Sequence, residues 1–258
     1  RFLNSSRGYT SQSQFYGGKQ ITPLGINGEF TASYLFLNKS DNFKGPDISP
    51  FDPKNIINVL INEDNSSTEI DFQNLPHTIQ PLLQHVNDWI KYIFDIDEPL
   101  EIKESMYGTY DIVLGSDLLS NVGSGISQAL PIILNIIISE NKFVFLEEVE
   151  QNLHAAAQAK IADMILFYSF YGRKFIVETH SEHILNRIRL RKIQLEKRYG
   201  DKQLCNIYFV TKSKTRGSTA ENININSKGQ FDSSKLSDGF FDQSQLDTLD
   251  IIKEIKDL

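Results

Sequence analysis

The sequence predicts an α/β fold: a mostly parallel sheet with crossover helices, plus a small antiparallel appendage. Compact apolar runs at Phe143 to Leu146, Lys174 to Val177 and Ile207 to Val210 suit strands buried on both faces. Helical segments alternate with them, near Ile126 to Ser139, Ala155 to Tyr171 and Glu182 to Arg198. Parallel strands need such crossovers, because no tight turn can join them. The 258 residues, 40% hydrophobic and 23% charged, suffice for one large domain or two small ones without a disulfide or metal staple.

Taken in order, the elements divide the chain into three parts. Residues 1–120 are loop-rich. Asn, Asp, Ser and Pro dominate Asn38 to Asp71, which reads as loops around one short element, Asn55 to Ile61. Leu75, Ile79, Leu82, Leu83, Val86, Trp89, Ile90 and Ile93 then recur at three- and four-residue steps, predicting an amphipathic helix with Trp89 on its buried stripe. Leu100 to Ser105 and Thr109 to Leu114 read as two strands joined around Gly108. Residues 121–203 carry most of the alternating strands and helices. Residues 204–258 form the appendage, with turns at Lys214, Arg216-Gly217 and Lys228-Gly229 around the alternating stretch Asn222 to Asn226.

Charge and cysteine usage narrow the function. The formal net charge is −7, yet Arg173 to Arg216 holds twelve Lys/Arg against four Asp/Glu. Such a stretch is either a solvated basic face or, through Arg187 to Lys192, a surface for nucleic acid. The lone Cys205 excludes an internal disulfide and suits a reducing, cytoplasmic compartment. The longest apolar stretch, Ala129 to Ile138, contains Pro131 and Asn135 and is too short for a membrane span. The chain starts at Arg1 with no signal-like segment, and reads as a fragment of a longer protein.

Chemistry concentrates at two strand ends. The strand Phe143 to Leu146 runs straight into Glu147-Glu148, and the next into Glu178-Thr179-His180-Ser181. In open α/β sheets the carboxyl ends of strands are where ligands bind. One carboxylate there can hold Mg²⁺ through water, and its neighbour can orient an attacking water. Upstream, the Gly/Ser turn Val122-Gly123-Ser124-Gly125 opens an apolar helix, a geometry that suits an anion. His180-x-x-His183 lacks a third and fourth ligand for a metal site. A nuclease-like alternative would use Asp88 or Asp97 with Glu101-Ile102-Lys103.

In order and spacing these elements resemble the second half of an ABC-type P-loop ATPase head of the AAA/SMC/OLD-like class. They are most similar to bacterial AAA-type ATPases that end in a small domain of unknown function. The signature-like element is Val122-Gly123-Ser124-Gly125-Ile126-Ser127-Gln128-Ala129-Leu130-Pro131. The Walker B strand and following loop match Leu146-Glu147-Glu148-Val149-Glu150-Gln151-Asn152-Leu153-His154, and the switch histidine lies in Glu178-Thr179-His180-Ser181. The resemblance implies ATP and Mg²⁺ as cofactors, with Glu147 toward the metal, Glu148 as the catalytic carboxylate and His180 beside the γ-phosphate. It implies that Ser124, Gly125, Ser127, Gln128 and His154 approach ATP across a homodimer or higher oligomer, and that Gln151 to His154 cross the same interface. It also implies control of an effector protein or nucleic acid, in anti-phage defence or DNA maintenance.

The chain departs from that pattern in places. Val149 and Ala155 replace prolines, which predicts a less rigid loop, and Gly123 occupies one register of the signature serine. No Gly-x-x-x-x-Gly-Lys-Ser/Thr occurs, so an ATPase built on this chain needs a phosphate-loop lobe from outside it. A non-hydrolysing scaffold that keeps the ATPase fold is the alternative.

Overall fold

A computed structural model describes residues 2–3, 24–46, 77–105, 109–139, 143–199, 205–213 and 217–231. The predicted element Asn55 to Ile61, the Gly108 turn and the tail beyond residue 231 lie outside them. The chain divides into two units, Arg1–Ile188 and Arg189–Leu258.

The first unit holds the parallel sheet. Strands β1 (Phe2–Leu3), β7 (Phe143–Leu146) and β8 (Lys174–Val177) lie in the order β1-β7-β8, all parallel, with Leu146 beside both Leu3 and Val177. Helix α3 (Ser124–Ile137) packs on β7, and α4 (Ala155–Phe170), the crossover between β7 and β8, packs on β8. The predicted β-α-β unit is therefore present. Val144 and Leu146 are buried, whereas Phe143, Phe145 and Ile176 on the other face are 52%, 39% and 52% exposed.

Behind the sheet lies a core built on α3, whose residues from Ala129 to Ile137 are all buried despite Pro131. Gly28, at φ +77°, brings the backbone so close to the Pro131 ring that a Cβ would lie 2.7 Å from it. Arg173 finishes the same helix. Its guanidinium donates to the carbonyls of Ile136 and Ile137 and lies over the Tyr168 ring, satisfying carbonyls that a helix end leaves without partners.

The predicted amphipathic helix is α2 (Leu82–Phe94), and it begins later than its apolar stripe suggests. His77–Pro81 forms strand β3, antiparallel to β2 (Asn42–Pro46), and leaves Ile79 exposed. Pro81 explains the boundary: it disfavours helix at the residue before it and suits a helix start itself. Trp89 is fully buried as expected, donating to the Tyr168 hydroxyl at 3.2 Å. The Tyr92 hydroxyl donates to buried Asp163 on α4 at 2.7 Å, and Arg187 reaches the same carboxylate at 3.3 Å. His85 is buried between Gln80 and the Phe43 carbonyl, and burial pushes its pKa below 6.5. Strands β4 (Leu100–Glu104), β5 (Tyr110–Leu114) and β6 (Asp117–Leu118) form an antiparallel sheet, against which α1 (Thr31–Asn38) packs through β4 and β5.

In the second unit, β9 (Ile207–Ser213) corrects one expectation. It does not extend the parallel sheet but pairs antiparallel with β10 (Gly217–Ile223), Ser213 opposite Gly217 and Ile207 opposite Ile223. A three-residue connection permits only an antiparallel partner. Tyr208 and Val210 are exposed, so the apolar run is not doubly buried. Helix α5 (Glu182–Tyr199) contains the boundary between the units.

Candidate functional site

The ladder continues past the last residues of β7 and β8. The Glu147 amide donates to Leu3 O at 3.2 Å, and the Glu178 amide to Leu146 O at 2.8 Å. The two acidic segments thus leave the sheet side by side, at its carboxyl edge. Glu148 follows with φ 43°, a left-handed conformation that costs a non-glycine residue about 1–2 kcal/mol. The loop is held from below by buried Val149 and Leu153, and from within by Gln151 N–H to Glu148 O and Leu153 N–H to Glu150 O, each 3.0 Å. These anchors stand where the missing prolines had predicted looseness.

His154 ends the loop as the N-cap of α4, its Nδ1 accepting the Ala157 amide at 3.2 Å, with Phe94 edge-on to its ring. Asn152, at φ 60°, donates through Nδ2 to Gln128 Oε1 at 2.7 Å. Gly125 meets the same loop: a Cβ there would lie 3.2 Å from the Asn152 carbonyl oxygen. Two residues expected near ATP, Gln128 and His154, therefore spend polar atoms on bonds within this chain. Ser124 opens α3 behind Gly123, which provides no side-chain cap, and Ser127 Oγ donates to Ser124 O at 2.9 Å.

The β8–α5 loop faces the β7–α4 loop. Glu150 spans them: Oε1 accepts the His180 amide at 2.5 Å, and Oε2 accepts the Thr179 hydroxyl at 2.7 Å. Ser181 Oγ accepts the Ile184 amide at 3.2 Å, capping α5, and donates to Gln158 Oε1 at 2.5 Å. The His180 imidazole is exposed, with no hydrogen-bond partner among the described residues. Glu147, Glu148 and His180 thus share one edge of the sheet with Gly125 and Gln128 at its margin. Sequence reasoning gave no role to Glu150, Thr179, Gln158 or Ser181. The one signal in the sequence that could have found any of them is a serine directly before a helical segment, which suits Ser181 to an N-cap.

Two expectations are corrected. The basic run is not a free cationic face: Arg187 pairs with Asp163, Arg191 donates to Gln194 and Lys192 pairs with Glu196. Arg189 donates to Gly229 O at 2.5 Å and lies over Phe231, and of Arg187 to Lys192 only Leu190 is exposed. The nuclease-like acids are also engaged elsewhere. Asp88 accepts from Gln80 and Gln84, and Asp97 pairs with Lys91. Among the described residues no group of three or more His, Cys, Asp or Glu gathers in a way that could hold a metal ion.

A model of the family described as "AAA domain, putative AbiEii toxin, Type IV TA system" matches residues 22–186. The chain belongs to this AAA family. The match runs from the segment before α1 through β7 and β8 to the start of α5, and so includes every site residue above. The chain is also similar to solved SMC ATPases. One is described as "Structural biochemistry of ATP-driven dimerization and DNA stimulated activation of SMC ATPases", with 11% identity over 55% of this chain and 83% of that one, at TM-score 0.41. Another is an SmcHead bound to the C-winged helix domain of ScpA, with 18% identity over 55% of this chain and 41% of that one, at TM-score 0.39. The match thus spans less than half of the SmcHead chain. No curated protein matches. No helix among the described residues is long and apolar enough to cross a membrane.

Proposed function

We propose that this AAA-family chain supplies the signature, Walker B and switch-histidine portions of an ATPase that works as a dimer. The observation that carries the reading is the common sheet edge of Glu147, Glu148 and His180, from two adjacent parallel strands. Glu148 accepts a proton from, or orients, the attacking water, and His180 contributes its imidazole toward the transferred phosphate. Glu147 would hold Mg²⁺ when it binds. That cation fits this donor set, since it takes one or two carboxylates and fills its remaining positions with water and phosphate oxygens. ATP–Mg²⁺, when bound, supplies the phosphoryl group and the charge neutralisation its transfer needs. Ser124, Gly125 and Ser127 present the start of α3 to the nucleotide of a second copy.

The phosphate cradle comes from a lobe outside these 258 residues. The lack of a Gly-x-x-x-x-Gly-Lys-Ser/Thr within them supports this. Coupling of turnover to a partner effector or nucleic acid, in bacterial defence or DNA maintenance, extends the proposal by family resemblance. The second reading, a non-hydrolysing scaffold, draws on the absent Gly-x-x-x-x-Gly-Lys-Ser/Thr.

Turnover of ATP by the native full-length protein, wild type beside Glu148→Gln, tests the reading. The variant is expected to lose at least about a hundredfold in kcat, the scale of a general base, while still binding ATP and accumulating as a nucleotide-bound dimer. Wild-type turnover in Glu148→Gln, or loss of binding, refutes the role of Glu148. No turnover by the wild type, with or without DNA, favours the scaffold.

A further inference from the structure

We propose that Glu150 is a positioning residue: it fixes the backbone of the β8–α5 loop so that His180 is held out at the sheet edge. Both carboxylate oxygens are committed, Oε1 to the His180 amide and Oε2 to the Thr179 hydroxyl. Thr179 Oγ1 also accepts the Ser181 amide at 3.1 Å, so its own proton is directed at Glu150. The loop is fastened again one residue later, where Ser181 bonds to Gln158 and Gln158 Nε2 donates to Leu153 O at 2.7 Å. His180 is therefore gripped through its backbone on both sides while its imidazole stays exposed. That is the arrangement expected where a side chain must be presented at a fixed point at little reorganisation cost.

A carboxylate suits this place because both partners are donors. Glutamine keeps an acceptor for the His180 amide but turns a donor toward Thr179. Alanine removes both bonds. The role thus separates Glu150→Gln from Glu150→Ala in a way that general packing does not.

The consequence for turnover rests on the ATPase reading above; the positioning itself does not. Solvent exchange of the His180 amide, measured by NMR on the full chain, tests it directly. Glu150→Ala is expected to accelerate that exchange about ten- to a hundredfold, the loss of a hydrogen bond to a charged group, and Glu150→Gln to stay near wild type. In the native full-length protein, Glu150→Ala is expected to lower kcat about ten- to a hundredfold with KM for ATP unchanged, as a misplaced group would. Unchanged His180 exchange in Glu150→Ala overturns the proposal. So does faster exchange spread evenly over α4 and α5, or a failure of Glu150→Gln to restore the rate. If the wild type turns over no ATP, the functional reading falls, and the exchange measurement still decides the role of Glu150.

Discussion

Asp163 offers the sharpest test of how the site's foundations are held. It is fully buried on α4, the helix that follows the Glu147–His154 loop, and it accepts from Tyr92 on α2 at 2.7 Å. Arg187, on the helix that follows His180, reaches it at 3.3 Å with a side chain 24% exposed. One carboxylate thus ties together the helices that carry both loops. Asp163→Ala leaves a half-buried guanidinium without its counter-charge and a buried hydroxyl without its acceptor. Breaking a buried pair from one side costs about 3–5 kcal/mol, and the unsatisfied hydroxyl about 1–3 kcal/mol. The terms share a partner and do not add fully, so a loss of about 3–5 kcal/mol is expected. Asp163→Asn, which keeps an acceptor for Tyr92, should lose less. Asp163→Met with Arg187→Met should be milder than Asp163→Ala alone, because apolar replacement of both members removes the desolvation cost with the pair. Trp89 is the only tryptophan and is buried against Tyr168, so its fluorescence reports unfolding of this region. With a urea slope of about 2–3 kcal/mol/M, Asp163→Ala should move the midpoint down by about 1–2 M. A shift below about 0.3 M on the same slope would refute the reasoning, as would a double variant as unstable as the sum of its singles.

Two further outcomes follow from the fold. His85 is held neutral: Nδ1 lies 3.1 Å from Gln80 Nε2, and Nε2 donates to the Phe43 carbonyl at 3.0 Å. Burial is the main cause of its lowered pKa, with Arg173 adding to it against the Phe43 carbonyl and Asp88. The unfolded chain therefore takes up a proton before the folded one, so stability held above pH 6.5 falls as pH drops from 6.5 through the folded value. Melts of His85→Gln across that window should show this part of the slope flattened, and an unchanged slope would contradict the assignment. Gly125→Ala should gain helix propensity of up to about 1 kcal/mol yet lose about 1–3 kcal/mol to overpacking against Asn152, for a net drop of about 1 kcal/mol. A raised melting temperature would show that the Asn152 loop yields freely.

What the sequence reveals of this fold follows from the range of the forces involved. Strands β7 and β8 are legible because Phe143 to Leu146 and Phe175 to Val177 are short unbroken apolar runs that must bury at least one face, and the helix between them sets them parallel. The site acids are legible for the same reason, since topology sends whatever follows such strands to the carboxyl edge. The start of α2 is less so: Ile79 keeps the helical spacing, and Pro81 overrules it locally. Strand β9 has the same apolar signature as β8, and only the short return to β10 separates a hairpin from a parallel neighbour. Glu148 carries no mark of its left-handed backbone, because φ there is imposed by Val149 and Leu153 going into the core.

The basic helix and Glu150 show the deeper reason why pattern alone stops short of a site. Counting charges along Arg187 to Lys192 measures what is available for binding only if each cation faces water. Here Asp163 and Glu196 meet two of the cations, and backbone and side-chain acceptors meet the others, so a surplus of positive charge in the sequence becomes local pairing in the fold. Glu150 is the converse. Beside Glu147, Glu148 and Glu178 it has no distinguishing neighbour in sequence, yet its carboxylate holds the loop that carries His180, some thirty residues away. Arg187, Arg189 and Glu150 are all satisfied by groups far away in the chain. Hydrogen bonding inside a protein is nearly obligatory, so a buried polar side chain finds a partner, but the sequence shows only the demand and not who meets it.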